Sequence, residues 1–224
     1  MKKCSLETTL LEKQSLFSKK YRHVWFLLVW VSHLVLYAVT EKLIPYEKCV
    51  PVHLPLDDLI PFCELFVIPY VGWYALIVGS TLYMMWKSPE NFKGMMTFVL
   101  IFQIIAFAIY VLFPNRQDLR PDVLPRENVL TALMQSLYTA DTSTNVCPSV
   151  HVGYSIAFAS AFLKEKTVKP YARLLITVFC ILICLSVVFV KQHSALDIIV
   201  ALPVCLLAEI LAYGKSFWLP RFKK

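Results

Sequence analysis

The chain has 224 residues, of which 58% are hydrophobic and 17% are charged. Soluble domains carry about 25% charged residues, so this composition excludes an ordinary soluble protein and favours an integral membrane protein. The net charge of +7 does not indicate a nucleic-acid-binding protein, because the chain has neither Gly-rich loops nor a soluble basic domain. Basic residues beside membrane spans account for this charge.

Six apolar segments predict six transmembrane helices. These segments cover residues 24–40, 65–86, 94–114, 150–163, 171–190 and 194–213. The fourth segment has only 14 residues, whereas roughly 20 are needed to cross the hydrocarbon core, so we expect its polar start to lie below the membrane surface. The Pro-rich stretch 45–63 predicts a re-entrant or interfacial connection.

The long loop between the third and fourth spans contains one further predicted helix. Residues 127–139 have apolar side chains at helical spacing, which predicts an amphipathic helix at the membrane interface. The predicted architecture is therefore all-α and polytopic. It consists of an N-terminal arm over residues 1–23, a transmembrane domain over 24–213 and a basic tail over 214–224.

The distribution of basic residues predicts the orientation in the membrane. Six spans place both termini on one side, which carries 16 Lys and Arg residues against six on the other. Cytoplasmic loops carry the excess of Lys and Arg, so we expect both termini to be cytoplasmic, in a plasma-membrane protein. On the opposite face, the sequence leaves open whether Cys49 and Cys63 form a disulfide.

Three polar clusters lie at the non-cytoplasmic ends of the predicted spans. The sequence FPNRQDLRP follows the third span, CPSVH precedes the fourth, and KQHSALD lies between the fifth and the sixth. The predicted topology brings all three clusters to one face of the membrane. Ionisable residues at such depth are costly and are usually functional, so the joint pattern indicates a site rather than separate helix caps and headgroup anchors.

The last two clusters contain candidate catalytic residues for phosphate chemistry. His193 and Asp197 are four residues apart and lie on one face of a helix. Asp197 can accept a proton from one imidazole nitrogen and leave the other free to attack phosphorus. His151 opens the next helix, where it can protonate a leaving oxygen.

Other residues of the clusters are candidates for holding the phosphate itself. The backbone N–H groups from Ser149 through Val150 to His151 form a predicted helix N-terminus, which favours an anion. The guanidinium of Arg120 fits a phosphate, and Lys191 adds a point charge. Fixed cations of this kind stabilise the charge that gathers on the equatorial oxygens in the transition state.

These motifs resemble those of the type-2 phosphatidic acid phosphatase superfamily of membrane lipid phosphatases and phosphotransferases. CPSVH is similar to its Pro-Ser-Gly-His motif, KQHSALD to its last motif, and LRP at 119–121 to the end of its first motif. The resemblance covers roughly residues 64–213. It implies that His193 is the nucleophile and forms a phosphohistidine, that Asp197 orients it, and that His151 is the acid.

The chain departs from the family pattern at two cations. Phe113 stands where the first motif has a Lys, and Val187 stands where the last motif has an Arg. Arg116 and Lys191 are the candidate replacements. These departures make the chain more similar to the branch that contains sphingolipid head-group transferases.

Three functions remain open at the level of the sequence. The first is hydrolysis of a lipid phosphomonoester or diphosphate, and the second is transfer of the phosphoryl group to another alcohol. The third is a transporter or a catalytically silent lipid-phosphate binder. The expected partners are the lipid bilayer and a lipid phosphate, and no nucleic acid. We expect neither a cofactor nor a metal, because the cations beside the site would repel a metal ion. The lipid and the oligomeric state remain open.

Overall fold

The computed structural model describes residues 21–222 of the protein. This part of the chain is mainly helical. The helices are α1 (Leu28–Leu43), α2 (Pro55–Leu59), α3 (Val67–Lys87), α4 (Pro89–Leu112), α5 (Val129–Ala140), α6 (Val150–Lys164), α7 (Pro170–Phe189), α8 (Ala195–Tyr213) and α9 (Leu219–Phe222). Short 3-10 segments cover Arg22–Leu27, Tyr46–Lys48 and Glu64–Phe66, and a π-helical turn covers Gly214–Trp218. The predicted arm lies outside the described residues except for positions 21–23.

Within residues 21–222, five helical segments are long and apolar enough to span a membrane. They are Arg22–Leu43, Glu64–Lys87, Pro89–Leu112, Pro170–Phe189 and Ala195–Arg221. These segments correspond to the first, second, third, fifth and sixth predicted spans. The prediction of an integral membrane protein is therefore confirmed. Helix α6 corresponds to the fourth predicted span but has only 15 residues, a length of about 22 Å. That it crosses the membrane stays a prediction.

Helix α6 nevertheless runs between the two ends of the helix bundle. At one end, the Tyr110 hydroxyl of α4 donates to the Pro148 carbonyl, 2.5 Å away. At the other end, the Asn91 amide at the start of α4 donates to the Ala161 carbonyl of α6, 2.8 Å away. The two helices are therefore antiparallel.

Close packing explains why a short helix occupies this position. Most of α6 is buried, including Tyr154 and Phe158. Gly153 faces the ring of Phe102, and a Cβ atom at this position would overlap that ring. Because protein rather than lipid surrounds α6, its length is not fixed by the bilayer in the way that the outer helices are.

The start of α4 differs from the predicted boundary. The hydropathy pattern predicts that the third span begins at residue 94. In the structure, α4 begins at Pro89, and Ser88 alone separates it from α3. Proline is favoured in the first turn of a helix because its missing N–H group has no intrahelical partner there. Residues 90–93, of which Phe92 is apolar and buried, belong to the first turns of α4 rather than to a loop.

A two-stranded parallel sheet adds a small element to the predicted all-α fold. Strand β1 (Val50–Pro51) pairs with β2 (Asn115–Arg116). The sheet fixes the Pro-rich stretch 45–63 against the segment that follows α4. Helix α5 lies close to the predicted bounds of 127–139, and its position at the membrane interface stays a prediction. Cys49 and Cys63 are both free thiols.

Candidate active site

His193 and Asp197 form a buried pair at the N-terminus of α8. His193 Nδ1 lies 2.9 Å from Asp197 Oδ2, and only 7% and 0% of the two residues are exposed. The same carboxylate oxygen accepts the Ser194 backbone N–H at 3.1 Å. The two side chains meet as predicted, but His193 lies one residue before the Ser194 N-cap and not within the helix.

The surroundings of His193 fix its tautomer. Besides the Asp197 carboxylate, Nδ1 lies 3.0 Å from the Val146 carbonyl oxygen. Both neighbours only accept hydrogen bonds, so Nδ1 carries the proton and Nε2 carries the lone pair. Nε2 lies 3.3 Å from the Ser149 hydroxyl, which can donate to it. In the neutral ring, Nε2 is thus the nitrogen with a free lone pair.

Asn115 holds the loop that positions His193. Its Oδ1 accepts the backbone N–H groups of Val146 and Cys147 at 2.9 and 2.8 Å, and its Nδ2 donates to the Cys147 carbonyl at 3.0 Å. The Val146 carbonyl is therefore fixed at the point where it meets His193. Sequence reasoning missed Asn115, although it lies within the polar cluster after the third span.

Asp57 is a second residue that sequence reasoning missed. It lies in α2, and only 2% of it is exposed. Its Oδ1 accepts the Ala195 backbone N–H at 2.7 Å, and its Oδ2 accepts the Ser194 hydroxyl at 2.5 Å. The Pro-rich connection thus reaches the first turn of α8, beside the His193–Asp197 pair.

His151 faces His193 across the site. Their ring centroids are 5.7 Å apart. The His151 ring stacks on Tyr70 with centroids 4.7 Å apart and lies against Trp73 at 4.1 Å. Neither of its nitrogens has a hydrogen-bond partner among the described residues. The ring is therefore held by packing, and both nitrogens stay available for a proton transfer.

The N-terminus of α6 supplies backbone donors next to His193. Ser149 is the N-cap residue, and its hydroxyl accepts the Val152 N–H at 3.5 Å. The amides of Val150 and His151 belong to the first turn, where no intrahelical carbonyl is available to them. Val150, His151 and His193 line one cavity. An anion at this position would meet free N–H groups and the positive end of the helix dipole.

The three predicted phosphate-binding cations have protein partners. Arg120 donates from Nη1 to the Tyr138 and Asp141 carbonyls and from Nη2 to the Thr142 carbonyl and Gln192 Oε1, at 2.6–3.0 Å. Arg116 pairs with Asp118, which holds the pKa of that carboxyl below its usual value. Lys191 Nζ donates to the Asp57 carbonyl at 2.7 Å. None of these described cations lines the cavity.

Gln192 takes a place at the cavity that the sequence analysis did not assign. Its Oε1 accepts from Arg120 at 2.6 Å. Its Nε2 is buried without a hydrogen-bond partner among the described residues, and the residue lines the cavity beside His193. The Arg120 contact orients the amide and leaves its two N–H donors free for a ligand.

Cys147 lies in the same loop but is a poor nucleophile. Burial, with a smaller effect from the Asp197 carboxylate, raises the pKa of its thiol to about 12. The thiolate is the reactive form of cysteine, so this side chain stays protonated and unreactive at neutral pH.

Comparison with known proteins identifies the family. No curated protein and no solved structure matches the chain. A family model described as PAP2 superfamily matches residues 61–211, which include α3, α4, α6 and α7, and both histidines of the site. This match confirms the predicted resemblance to the type-2 phosphatidic acid phosphatases. The chain belongs to the PAP2 superfamily, and its membership indicates an enzyme of the phosphatase or phosphotransferase type.

Proposed function

We propose that the protein cleaves a phosphoester of a membrane lipid through a phosphohistidine at His193. The observation that carries this proposal is the contact of His193 Nδ1 with two acceptors, the Asp197 carboxylate and the Val146 carbonyl. This contact leaves Nε2 unprotonated, 3.3 Å from the Ser149 hydroxyl, in a residue that lines the cavity. A neutral, oriented imidazole is a competent nucleophile for phosphorus.

The first half-reaction forms the covalent intermediate. Nε2 of His193 bonds to phosphorus while the bond from phosphorus to the leaving oxygen breaks, and a protonated His151 gives its proton to that oxygen. Asp197 stabilises the positive charge that develops on the His193 ring. The free amides of Val150 and His151 and the amide of Gln192 would stabilise the charge on the equatorial oxygens.

The second half-reaction returns the enzyme to its starting state. His151, now neutral, accepts a proton from water while the water oxygen bonds to phosphorus. The bond between His193 Nε2 and phosphorus breaks, and the phosphate leaves. The same base would serve an alcohol acceptor, which makes hydrolysis and transfer two outcomes of one intermediate.

Head-group transfer is the second candidate, and the composition of the cavity favours its phosphodiester type of substrate over a phosphomonoester. No described Lys or Arg lines the cavity, whereas Tyr37, Tyr70, Trp73, Tyr74, Phe107 and Tyr110 all do. A doubly charged phosphomonoester would meet few cations in this environment. A singly charged phosphodiester, the substrate type of head-group transferases, is better matched.

Trapping the phosphoenzyme tests the proposed function. The purified full-length protein, in detergent, is mixed with a radiolabelled aryl phosphate, quenched in base and separated by electrophoresis. We expect a base-stable, acid-labile adduct in the parent and none in His193→Ala. His151→Ala should still be labelled, because an aryl oxide leaves without protonation, but it should lose the label slowly.

The control replaces an exposed histidine. His53 pairs with Asp58 on the surface, 2.9 Å away, so His53→Ala should be labelled like the parent. Equal labelling of His193→Ala and the parent would refute the mechanism. A parent that binds lipid phosphates but is never labelled would identify a silent binder. Release of inorganic phosphate, against transfer to a labelled alcohol, separates the two catalytic outcomes.

A further inference from the structure

Aromatic side chains form the wall of the active-site cavity on the side of α1 and α3. Tyr37 of α1 and Trp73 and Tyr74 of α3 line it, and the Trp73 and Tyr74 rings meet edge to face at 5.2 Å. Tyr37 and Tyr74 are 39% and 52% exposed, so their rings remain accessible at the mouth. Aromatic faces of this kind attract ammonium groups, and quaternary ammonium ligands are bound by such walls.

Two carboxylates accompany these aromatic rings. Asp141 lines the cavity, and its Oδ1 accepts the Tyr37 hydroxyl at 2.7 Å. Glu41, at the end of α1, accepts hydrogen bonds from Thr142, Thr144 and Asn145 at 2.7–3.1 Å. Within residues 21–222, no ion pair includes either carboxylate. The Asp141 carboxylate therefore faces the cavity without a side-chain cation paired to it among residues 21–222.

Arg120 is a basic residue that contacts the backbone of Asp141, and it does not neutralise the carboxylate directly. Its guanidinium donates to the Asp141 backbone carbonyl at 3.0 Å and not to the carboxylate. The same guanidinium donates to Gln192 at 2.6 Å, and Gln192 precedes His193 in the chain. Arg120, which does not itself line the cavity, therefore links the backbone of Asp141 to Gln192, the neighbour of His193.

The two ends of the cavity differ in charge preference. At one end, His193, the α6 amides and the Gln192 amide suit a phosphate. At the other end, Asp141 and the rings of Tyr37 and Tyr74 suit a cation. A cavity of about 350 Å³ holds a headgroup, while the tails of the lipid stay outside. We infer that the cavity binds an ammonium group beside the phosphate, so that the substrate is a zwitterionic phospholipid, a phosphodiester of choline or ethanolamine type.

This inference rests on the proposed function for the position of the phosphate, but its test does not require turnover. The full-length protein carrying His193→Ala is titrated with three dihexanoyl lipids that differ only in headgroup: phosphatidylcholine, phosphatidylglycerol and phosphatidate. Calorimetry gives the three dissociation constants. We expect the choline lipid to bind at least about tenfold more tightly than the glycerol lipid, as a desolvated cation–π contact supports.

Two substitutions assign the preference to the proposed subsite. Asp141→Asn keeps an oxygen that can accept from Tyr37 but removes the charge, and Tyr74→Leu removes an exposed ring. Each should reduce the preference for choline over glycerol to less than about threefold. Asp122→Asn is the matched control, because Asp122 is an exposed acid of the loop after α4 and does not line the cavity. It should leave the preference unchanged.

The outcomes separate this inference from the proposed function. Equal binding of the choline and glycerol lipids, or tighter binding of phosphatidate, would overturn the ammonium subsite. So would an equal loss for all three lipids in both Asp141→Asn and Tyr74→Leu, which would indicate a structural role. Phosphoenzyme formation from an aryl phosphate, which has no ammonium group, is measured on the parent and reports on the proposed function alone.

Discussion

The Asp57 carboxylate of α2 accepts the Ala195 backbone N–H of α8 at 2.7 Å, across 138 positions of the chain. Its second oxygen accepts the Ser194 hydroxyl at 2.5 Å. Ser194 is the N-cap residue of α8 and shares a capping box with Asp197. Asp197, which hydrogen-bonds His193, therefore lies on a helix turn that Asp57 holds in place. Asp57 lies outside residues 61–211, the segment that matches the family model.

Removing this carboxylate should disturb the catalytic pair without touching the substrate. Asp57→Ala leaves two buried donors unpaired, each at a cost of about 1–3 kcal/mol. We expect a lower unfolding temperature and a kcat reduced by about tenfold or more, with KM changed much less. Steady-state kinetics with a short-chain lipid measures the two parameters.

The neighbouring acid provides the control. Asp58 is exposed and pairs only with His53 among the described residues, so Asp58→Ala should match the parent in kcat. A normal kcat in Asp57→Ala would mean that the Ser194 cap is sufficient to position Asp197.

The sequence was informative wherever a contact is local. The His193–Asp197 pair depends on a spacing of four residues, and the Ser149 cap depends on a motif, so both could be predicted. Asp57 and Asn115 contact the site through pairings about 138 and 31 positions away. No periodicity in the sequence encodes such pairings, because they arise when the connections pack between the helix ends.

The hydrogen-bond partners of the predicted cations could not be derived from the sequence. Arg116, Arg120 and Lys191 lie in the right segments, but charge and position do not determine which acceptor a long side chain chooses. Backbone carbonyls at the ends of helices and in loops are strong acceptors that need partners. Arg120 donates to three such carbonyls and Lys191 to one.

Substitution of Lys191 tests whether its ammonium group contacts the phosphate or only the Asp57 carbonyl. A direct contact with the transition-state phosphate would make its removal cost on the order of 2–4 kcal/mol. Because Nζ donates to the Asp57 carbonyl, we expect Lys191→Met to lower kcat/KM by less than about tenfold and to lower the unfolding temperature. A loss of several hundredfold with unchanged stability would show that Lys191 turns to the phosphate in the complex.

The position of α6 predicts the topology of the site. Residue Val123 is 83% exposed in the loop after α4, and Lys166 is exposed in the turn after α6. With the native cysteines removed, Val123→Cys should react with an impermeant maleimide on intact cells, and Lys166→Cys only after lysis. Reaction of both residues from the same side would mean that α6 does not cross the membrane.

Gln192 should contribute to catalysis through its amide N–H group. Gln192→Glu keeps the size of the side chain and an acceptor for Arg120, but it replaces the free donor with a carboxylate oxygen. That oxygen would repel the phosphate, so we expect kcat/KM to fall by about a hundredfold, comparable to the loss of one oxyanion donor. Gln192→Met removes the donor without adding charge and should have a smaller effect. If Gln192→Met is the more damaging change, the contact with Arg120 matters more than the donor, and the role of Gln192 is to hold the loop around residue 141 against His193.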